Sequence, residues 1–358
     1  MKILFFIVHP AKFHFHKYTI NKLRENNHSV DVLITSKDIL EELVKEEGWD
    51  YQNIFPKGRK IDWLPRYISA MINLPRTFYR LFKYIIGNNF DLLIGADACM
   101  IGKILNIPWL YFTDDDIHTT PHQILNFIFA DYVVAPKLCD IGRFNYKKIS
   151  YDGHKAIAHL HPRYFKPKFN ALPKQLIGNK PYFLIRLSKY NSIHDTDSVS
   201  GISDDVLKLI IDYLEDKGNI FISAEREVPE EYKKYIIEIK KKDIHHLIYY
   251  SSLLISDSMT MSAEAAVLGT PAIEYDDWWC QTPLLLDLVN NYKAVYGINP
   301  GDKKNLIDTI ARLINKNSKE IFFSKSKNLL SSSVDVSAFQ FRLINNFPNS
   351  IKMYKKNF

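Results

Sequence analysis

"ISDSMTMSAEAAVLGTPAIEYDD", residues 255–277, is the stretch on which the fold turns. Leu253 to Ser256 reads as a buried strand, Asp257 to Met259 as a tight turn, and Thr260 to Leu268 as a helix stopped at Gly269. A second short strand follows from Pro271. A helix N-terminus leaves backbone N–H groups unpaired and carries the positive end of the dipole, so this turn is a ready anion site. Ser258, Met259 and Thr260 line it, the serine and threonine adding hydroxyl donors. A packed strand–helix unit with Ser258 as a plain N-cap explains the serine but leaves Glu264 unexplained, a lone carboxylate in an apolar helix. A carboxylate one turn into a helix that holds a pyrophosphate is placed to accept hydrogen bonds from ribose hydroxyls. The stretch therefore reads as a nucleotide diphosphate site.

The rest of the chain sets bounds on this reading. At 358 residues it has room for one large or two medium domains. An apolar content of 46% and a charged content of 24% are globular values. Cys99, Cys139 and Cys280 are scattered, with no C-x-x-C spacing, which fits a reducing compartment and argues against a disulfide frame or a cysteine zinc site. The net charge is +7, but no RNA-recognition or zinc-finger pattern occurs and the longest basic run is Lys240 to Lys242. Nucleic acid is set aside in favour of a lysine-rich surface, with an anionic substrate or membrane surface second. The apolar start, Ile3 to Val8, falls short of the roughly 7–15 residues of a signal peptide's apolar region and meets His9-Pro10 at once. No run reaches the roughly 18 apolar residues of a membrane span. A cytoplasmic protein is expected.

Short apolar runs alternate with helical periods. Strands are expected at Ile3–Val8, Val30–Thr35, Asp91–Gly95, Trp109–Phe112 and Tyr132–Ala135, with helices at about 15–26, 38–47, 64–86, 98–105 and 120–129 between them. Continuous apolar strands separated by helices indicate a parallel sheet covered on both faces. Between Leu160 and Pro181 four prolines interrupt the pattern, and residues 161–181 read as a linker. The alternation then restarts: strands at Tyr182–Leu187, Asn219–Ser223, Leu253–Ser256, Pro271–Tyr275 and Ala294–Tyr296; helices at 203–216, 229–238, 244–250, 260–268 and from 302 to 345. The expected fold is α/β, two doubly wound Rossmann-like domains (1–160 and 182–340) facing a central cleft, with a tail at 341–358 packing back on the first domain. Ligands bind outside the carboxyl ends of such strands.

Three further loops at expected strand ends carry unusual polar residues. Residues 8–18 hold His9, His14 and His16. A histidine beside a cleft is a natural general base near neutral pH, and His14 is the candidate. His9 and His16 read as capping or surface residues. With no H-E-x-x-H and no helical ligand spacing, no metal is expected. Residues 111–123 hold Asp114, Asp115, Asp116 and His118. Asp114-x-Asp116 is compatible with a divalent cation, but a carboxylate orienting a base or a sugar hydroxyl is the preferred reading. Residues 185–198 carry Arg186, placed to reach a pyrophosphate, with Ser188, His194 and Asp195 following. Ser223, Ala224 and Glu225 end the next strand at the same edge.

These residues carry a resemblance. "DSMTMSAEAAVLGTPAI" is similar to the donor-site turn and helix of GT-B fold enzymes, and the nucleotide-sugar 2-epimerases have a related Asp-Ser-Gly-Gly…Glu…Leu-Gly-Pro pattern. More closely, the chain looks like a bacterial and archaeal family labelled a domain of unknown function. The matching pieces are "HPAKFHFHK" (9–17), "TDDDIH" (113–118), "AHLHPRYFKP" (158–167), "FLIRLSKYNSIHD" (183–195), "FISAE" (221–225) and the opening stretch. The resemblance implies that Ser258 and Thr260 hold phosphate, that Glu264 holds ribose, and that His14 serves as base or acceptor-site residue. One departure stands out: the epimerases have Gly-Gly where this chain has Met259-Thr260, and side chains there restrict backbone approach to phosphate.

Residues and resemblance together lead to the expectation of an inverting glycosyltransferase that needs neither cofactor nor metal. The second domain takes the nucleotide-sugar donor through Arg186, Ser188, His194, Glu225, Ser258, Met259, Thr260 and Glu264. The first takes a glycan or lipid-linked acceptor, deprotonated by His14 with Asp114 or Asp115 orienting it, in surface glycan synthesis. A nucleotide-sugar epimerase and a non-catalytic glycan-assembly scaffold are the alternatives. Residues 61–87 interleave aromatic and apolar residues with Arg66, Arg76, Arg80 and Lys83 and have no acid after Asp62. This pattern suits an interfacial helix on anionic lipid, split or kinked at Pro75, or a core helix pair with an exposed basic face.

Overall fold

The computed structural model describes residues 1–355 apart from 60, 62, 63, 97, 98, 121, 122, 174, 175, 177–180, 190–200 and 316. The chain divides into two compact units, Met1–His159 with Val334–Phe358, and Leu160–Ser333. Residues 334–340, assigned from sequence to the second domain, thus lie with the first. Within it the helix Val336–Asn345 packs on the helix Pro10–Glu25, and Gln340 Oε1 lies 2.8 Å from His16 Nδ1.

In the first unit the strands are β1 (Lys2–Ile7), β2 (Ser29–Thr35), β3 (Gln52–Phe55), β4 (Leu92–Gly95), β5 (Trp109–Phe112), β6 (Tyr132–Pro136) and β7 (Lys148–Tyr151). They form one sheet in the order β3-β2-β1-β4-β5-β6-β7, every pair parallel. β1 is buried along nearly its whole length, as a strand covered on both faces must be. Leu4, Phe6, Leu93 and Trp109 pack against helices on one face. The sequence pattern did not reveal β3 or β7, which hold the two edges.

The second unit has β8 (Tyr182–Leu187), β9 (Asn219–Ala224), β10 (Leu253–Ser256), β11 (Ala272–Tyr275) and β12 (Tyr296–Ile298), again all parallel, in the order β12-β11-β10-β8-β9. Two expectations shift. The segment expected as a helix at 229–238 is a short 3-10 turn, Glu230–Tyr235, and β12 starts two residues late. Glu230, Glu231, Lys233 and Lys234 leave that turn no continuous apolar stripe.

The helix Met259–Leu268 ends as the sequence indicates, at Gly269 with φ +73, where a Cβ would sit 2.9 Å from the Phe323 backbone. Most of it is buried, beneath the helices Ile244–Tyr250 and Ser318–Ser332, which is why apolar residues dominate it, with Ser262 and Glu264 the buried polar exceptions.

Candidate functional site

Each sheet has one place where the chain leaves in one direction and later returns on the other side. In the second unit that reversal lies between β8 and β10. Ligands of open parallel sheets bind outside the strand ends at such a point. Ser188 follows β8 there, and Asp257, Ser258 and the N-terminus of the helix Met259–Leu268 follow β10.

Asp257 organises this edge. Its carboxylate is buried, with Oδ1 accepting the Ser188 N–H (2.6 Å) and Oδ2 accepting the Ile202 N–H (3.3 Å) and Arg226 Nη1 (2.9 Å). Arg226 Nη1 also donates to the Ser188 carbonyl (2.9 Å), and the Ser188 hydroxyl donates to the Asp257 carbonyl (3.0 Å). Ser188 thus holds two loops together. Ser258 takes the N-cap position with extended backbone, yet its side chain makes no capping bond; its own N–H goes to Ser256 Oγ at 2.8 Å. Met259 is half-buried and Thr260 is exposed at the helix start. The N-terminal N–H groups are therefore left without a side-chain cap, the condition for receiving an anion.

Arg186 and Glu225 meet across β8 and β9. Arg186 Nη2 donates to Glu225, Nη1 donates to Ser223 Oγ at 2.9 Å, and Nε is buried with no hydrogen-bond partner. A buried donor without an acceptor costs about 1–3 kcal/mol. Glu264 lies one turn deeper, buried, with Oε1 3.2 Å from His245 Nε2. On β11, Glu274 is wholly buried, accepts from Ser262 Oγ, and its carboxyl is pushed well above the ordinary carboxylate range by burial. His194 lies outside the described residues.

In the first unit the corresponding reversal is between β1 and β4. His9 follows β1 and caps the helix Pro10–Glu25: its Nδ1 accepts the Ala11 N–H at 3.1 Å. Burial, then Lys37, Lys155 and Lys12, push it down to about 3, so it is a neutral imidazole with its proton on Nε2. His16, expected as a capping or surface residue, is instead buried against Phe5, Phe15 and Phe112, and burial lowers it to about 3. His14 is half-buried, its ring centroid 5.2 Å from that of His159.

Asp114 follows β5 and sits between two lysines, Oδ1 3.5 Å from Lys12 Nζ and Oδ2 2.5 Å from Lys155 Nζ. These cations, Lys155 first, hold its carboxyl well below the usual range against the opposing effect of burial. Asp115 is pushed the other way, by burial and then by the charge on Asp114; its Oδ2 accepts from Gln123 Nε2 at 3.2 Å. The sequence reading had one of these aspartates orienting His14. The partners described are lysines for Asp114 and a glutamine for Asp115. Asp116 accepts the Asp140 N–H at 2.7 Å, so Asp114 and Asp116 each serve a separate protein partner.

The sequence reading missed Lys12, Lys155, Arg226, Asp257 and His245 as site residues. Asp257 had a local signal, an aspartate directly after an apolar strand. The others take part through partners far along the chain.

Two all-parallel units, each with its own reversal, define a two-domain α/β protein of the GT-B type, and solved structures of that kind match it along nearly its full length. UDP-GlcNAc 2-epimerase from Neisseria meningitidis, solved with UDP-GlcNAc bound, is 15% identical over 97% of this chain and 100% of its own, with a TM-score of 0.69. The Methanocaldococcus jannaschii UDP-GlcNAc 2-epimerase is 14% identical over 96% and 99%, with a TM-score of 0.66. The spinosyn forosaminyltransferase is 15% identical over 99% of both chains, with a TM-score of 0.64. At these identities the likeness is one of fold. No curated protein sequence matches the chain. The chain belongs to the family described as "protein of unknown function (DUF354)", which it matches over residues 1–334.

Proposed function

We propose that the protein is a glycosyltransferase that moves a sugar from a nucleotide-activated donor to a glycan or lipid-linked acceptor, in synthesis of a surface polysaccharide. The observation that carries this reading is the uncapped N-terminus of the helix Met259–Leu268 at the reversal between β8 and β10. In this account the donor's diphosphate lies on the N–H groups of that turn with the Ser258 and Thr260 hydroxyls. The Arg186 guanidinium supplies a further cation, and Glu264, steadied by His245, takes the ribose. These groups stabilise the negative charge that develops on the leaving diphosphate, so no metal is required.

The first unit binds the acceptor. His14 takes the proton from the attacking hydroxyl, and the bond to the anomeric carbon forms as the bond to the diphosphate breaks, with inversion. The lysine-flanked Asp114 keeps the surrounding loops in place, and Asp115 is the base of second choice. A lipid-linked acceptor would bring the protein to the inner face of a membrane; no helix among the described residues is long and apolar enough to cross one.

A nucleotide-sugar 2-epimerase is the second reading, favoured by the fold shared with such enzymes. The two are separated by incubating the protein with single nucleotide sugars, with and without acceptor glycans, and following the products by NMR. Release of nucleoside diphosphate only with acceptor supports transfer. Conversion of the nucleotide sugar to its 2-epimer without acceptor replaces transfer by epimerisation.

A further inference from the structure

The helix Arg66–Ile86 continues through Pro75 as one helix, as expected at 64–86, and is neither split nor paired there. Its inner face holds Leu81 and Ile85 in the core of the first unit. The opposite face carries Ile72, 38% exposed, Tyr79, 65%, and Ile86, 59%, at helical spacing with Arg76 and Lys83. The helices Cys99–Leu105 and Ile124–Phe129 adjoin it in series and pack on the same face of the sheet, through Ile101 and Phe127. They too turn large apolar residues outward, with Ile104 57% exposed and Leu125 46%. A run of exposed apolar side chains over three neighbouring helices exceeds the scattered singles normal on a soluble surface and marks an interaction site.

The charge of this face says what it meets. The three helices contain no aspartate or glutamate. Lys83 and Arg80 are exposed on the long helix, and Arg76 is half-buried. The two guanidinium groups lie over the Phe55 ring, 4.3 Å away for Arg80 and 5.4 Å for Arg76, along the flank of the apolar stripe. Lys103 is the one neighbouring cation described with an acidic partner, Asp131. Apolar and aromatic groups bordered by cations, with no acid among them, complement a bilayer interface: the apolar groups enter the acyl boundary while the cations meet anionic headgroups.

We propose that the outer face of these three helices docks on the surface of an anionic lipid bilayer. The inference rests on the membrane-linked acceptor in the proposed function, but the docking itself requires neither donor nor transfer. The test is co-sedimentation of the full chain with phosphatidylglycerol/phosphatidylcholine vesicles and with pure phosphatidylcholine vesicles, at low and high salt. Each basic side chain near an anionic bilayer strengthens attachment about fivefold. Replacing Arg76, Arg80 and Lys83 with glutamine should therefore lower partitioning onto anionic vesicles by on the order of 100-fold. Wild-type protein should bind anionic vesicles at low salt and release at high salt. Tyr79→Ser with Ile86→Ser should weaken binding while leaving its salt dependence unchanged. All the substituted side chains except the half-buried Arg76 are exposed, and circular dichroism checks the fold of each variant. The proposal is overturned if the wild type does not bind anionic vesicles, or if the charge variant binds as well as wild type. It is equally overturned if the face proves to be covered by a second copy, seen as a dimer that Tyr79→Ser with Ile86→Ser dissociates. Loss of sugar transfer with vesicle binding intact would overturn the enzymatic reading and leave this one standing.

Discussion

Asp114→Asn tests the electrostatic design of the first unit. The carboxylate faces Lys12 at 3.5 Å and Lys155 at 2.5 Å, and the three side chains keep between 17% and 25% of their surface exposed. Removing one partner of a fully buried pair costs about 3–5 kcal/mol, and an exposed pair is worth about 0–1 kcal/mol. This triad lies between those limits, and asparagine retains one acceptor, so a loss of about 2–3 kcal/mol is expected. The pH dependence sharpens the test. The folded carboxyl is held below its unfolded value of about 4, so its contribution is complete above that pH and fades as pH falls toward the folded value. The gap between wild type and Asp114→Asn, read from urea unfolding by circular dichroism, should thus be full at pH 7 and narrow below about pH 4. In a cycle with Lys155→Met, a coupling of about 1–2 kcal/mol is expected. A gap under about 0.5 kcal/mol at pH 7, or one that does not change down to pH 3, would refute the reasoning.

Asp257→Asn removes the charge facing Arg226 and weakens the contacts to Ser188 and Ile202; a loss of about 3 kcal/mol in stability, with weaker nucleotide binding, is expected in unfolding and calorimetric titrations. Burial raises the Glu274 carboxyl well above its unfolded value, so its contribution is present below the unfolded pKa and lost as pH rises toward the folded one. Glu274→Gln should accordingly be more stable than wild type at pH 8 and show no gain at pH 4, read from thermal unfolding across that range. His14→Ala should lower transfer by about 10²–10⁴ while leaving donor affinity unchanged; a near-normal rate would move the base to Asp115.

The sheets were legible where strands are covered on both faces. Ile3–Ile7 and Leu253–Ile255 are unbroken apolar runs, short and bounded by turn signals, as doubly covered strands are. β3 and β7 escaped because they hold the edges: Gln52 and Asn53 begin one, and Lys148 and Ser150 alternate with Ile149 and Tyr151 in the other. The turn at Ser258–Thr260 was readable because strand, cap and helix signals are local. What Glu264 faces was not, since His245 approaches from a separate helix. For the same reason Lys155 gave no sign that it would meet Asp114, and His16 none that Gln340 would bury it. Pairings across long sequence separations are made by topology, which residue-by-residue patterns do not encode.

The central claim is that the turn at Ser258–Thr260 with Glu264 holds a nucleoside diphosphate. Calorimetric titration of the wild type and of Glu264→Ala with a panel of nucleoside diphosphates and nucleotide sugars tests it most directly. The account predicts saturable binding of at least one nucleotide, weakened by about 1.5–3 kcal/mol in the folded Glu264→Ala protein. Binding of none, or equal affinity in a folded Glu264→Ala variant, would contradict it.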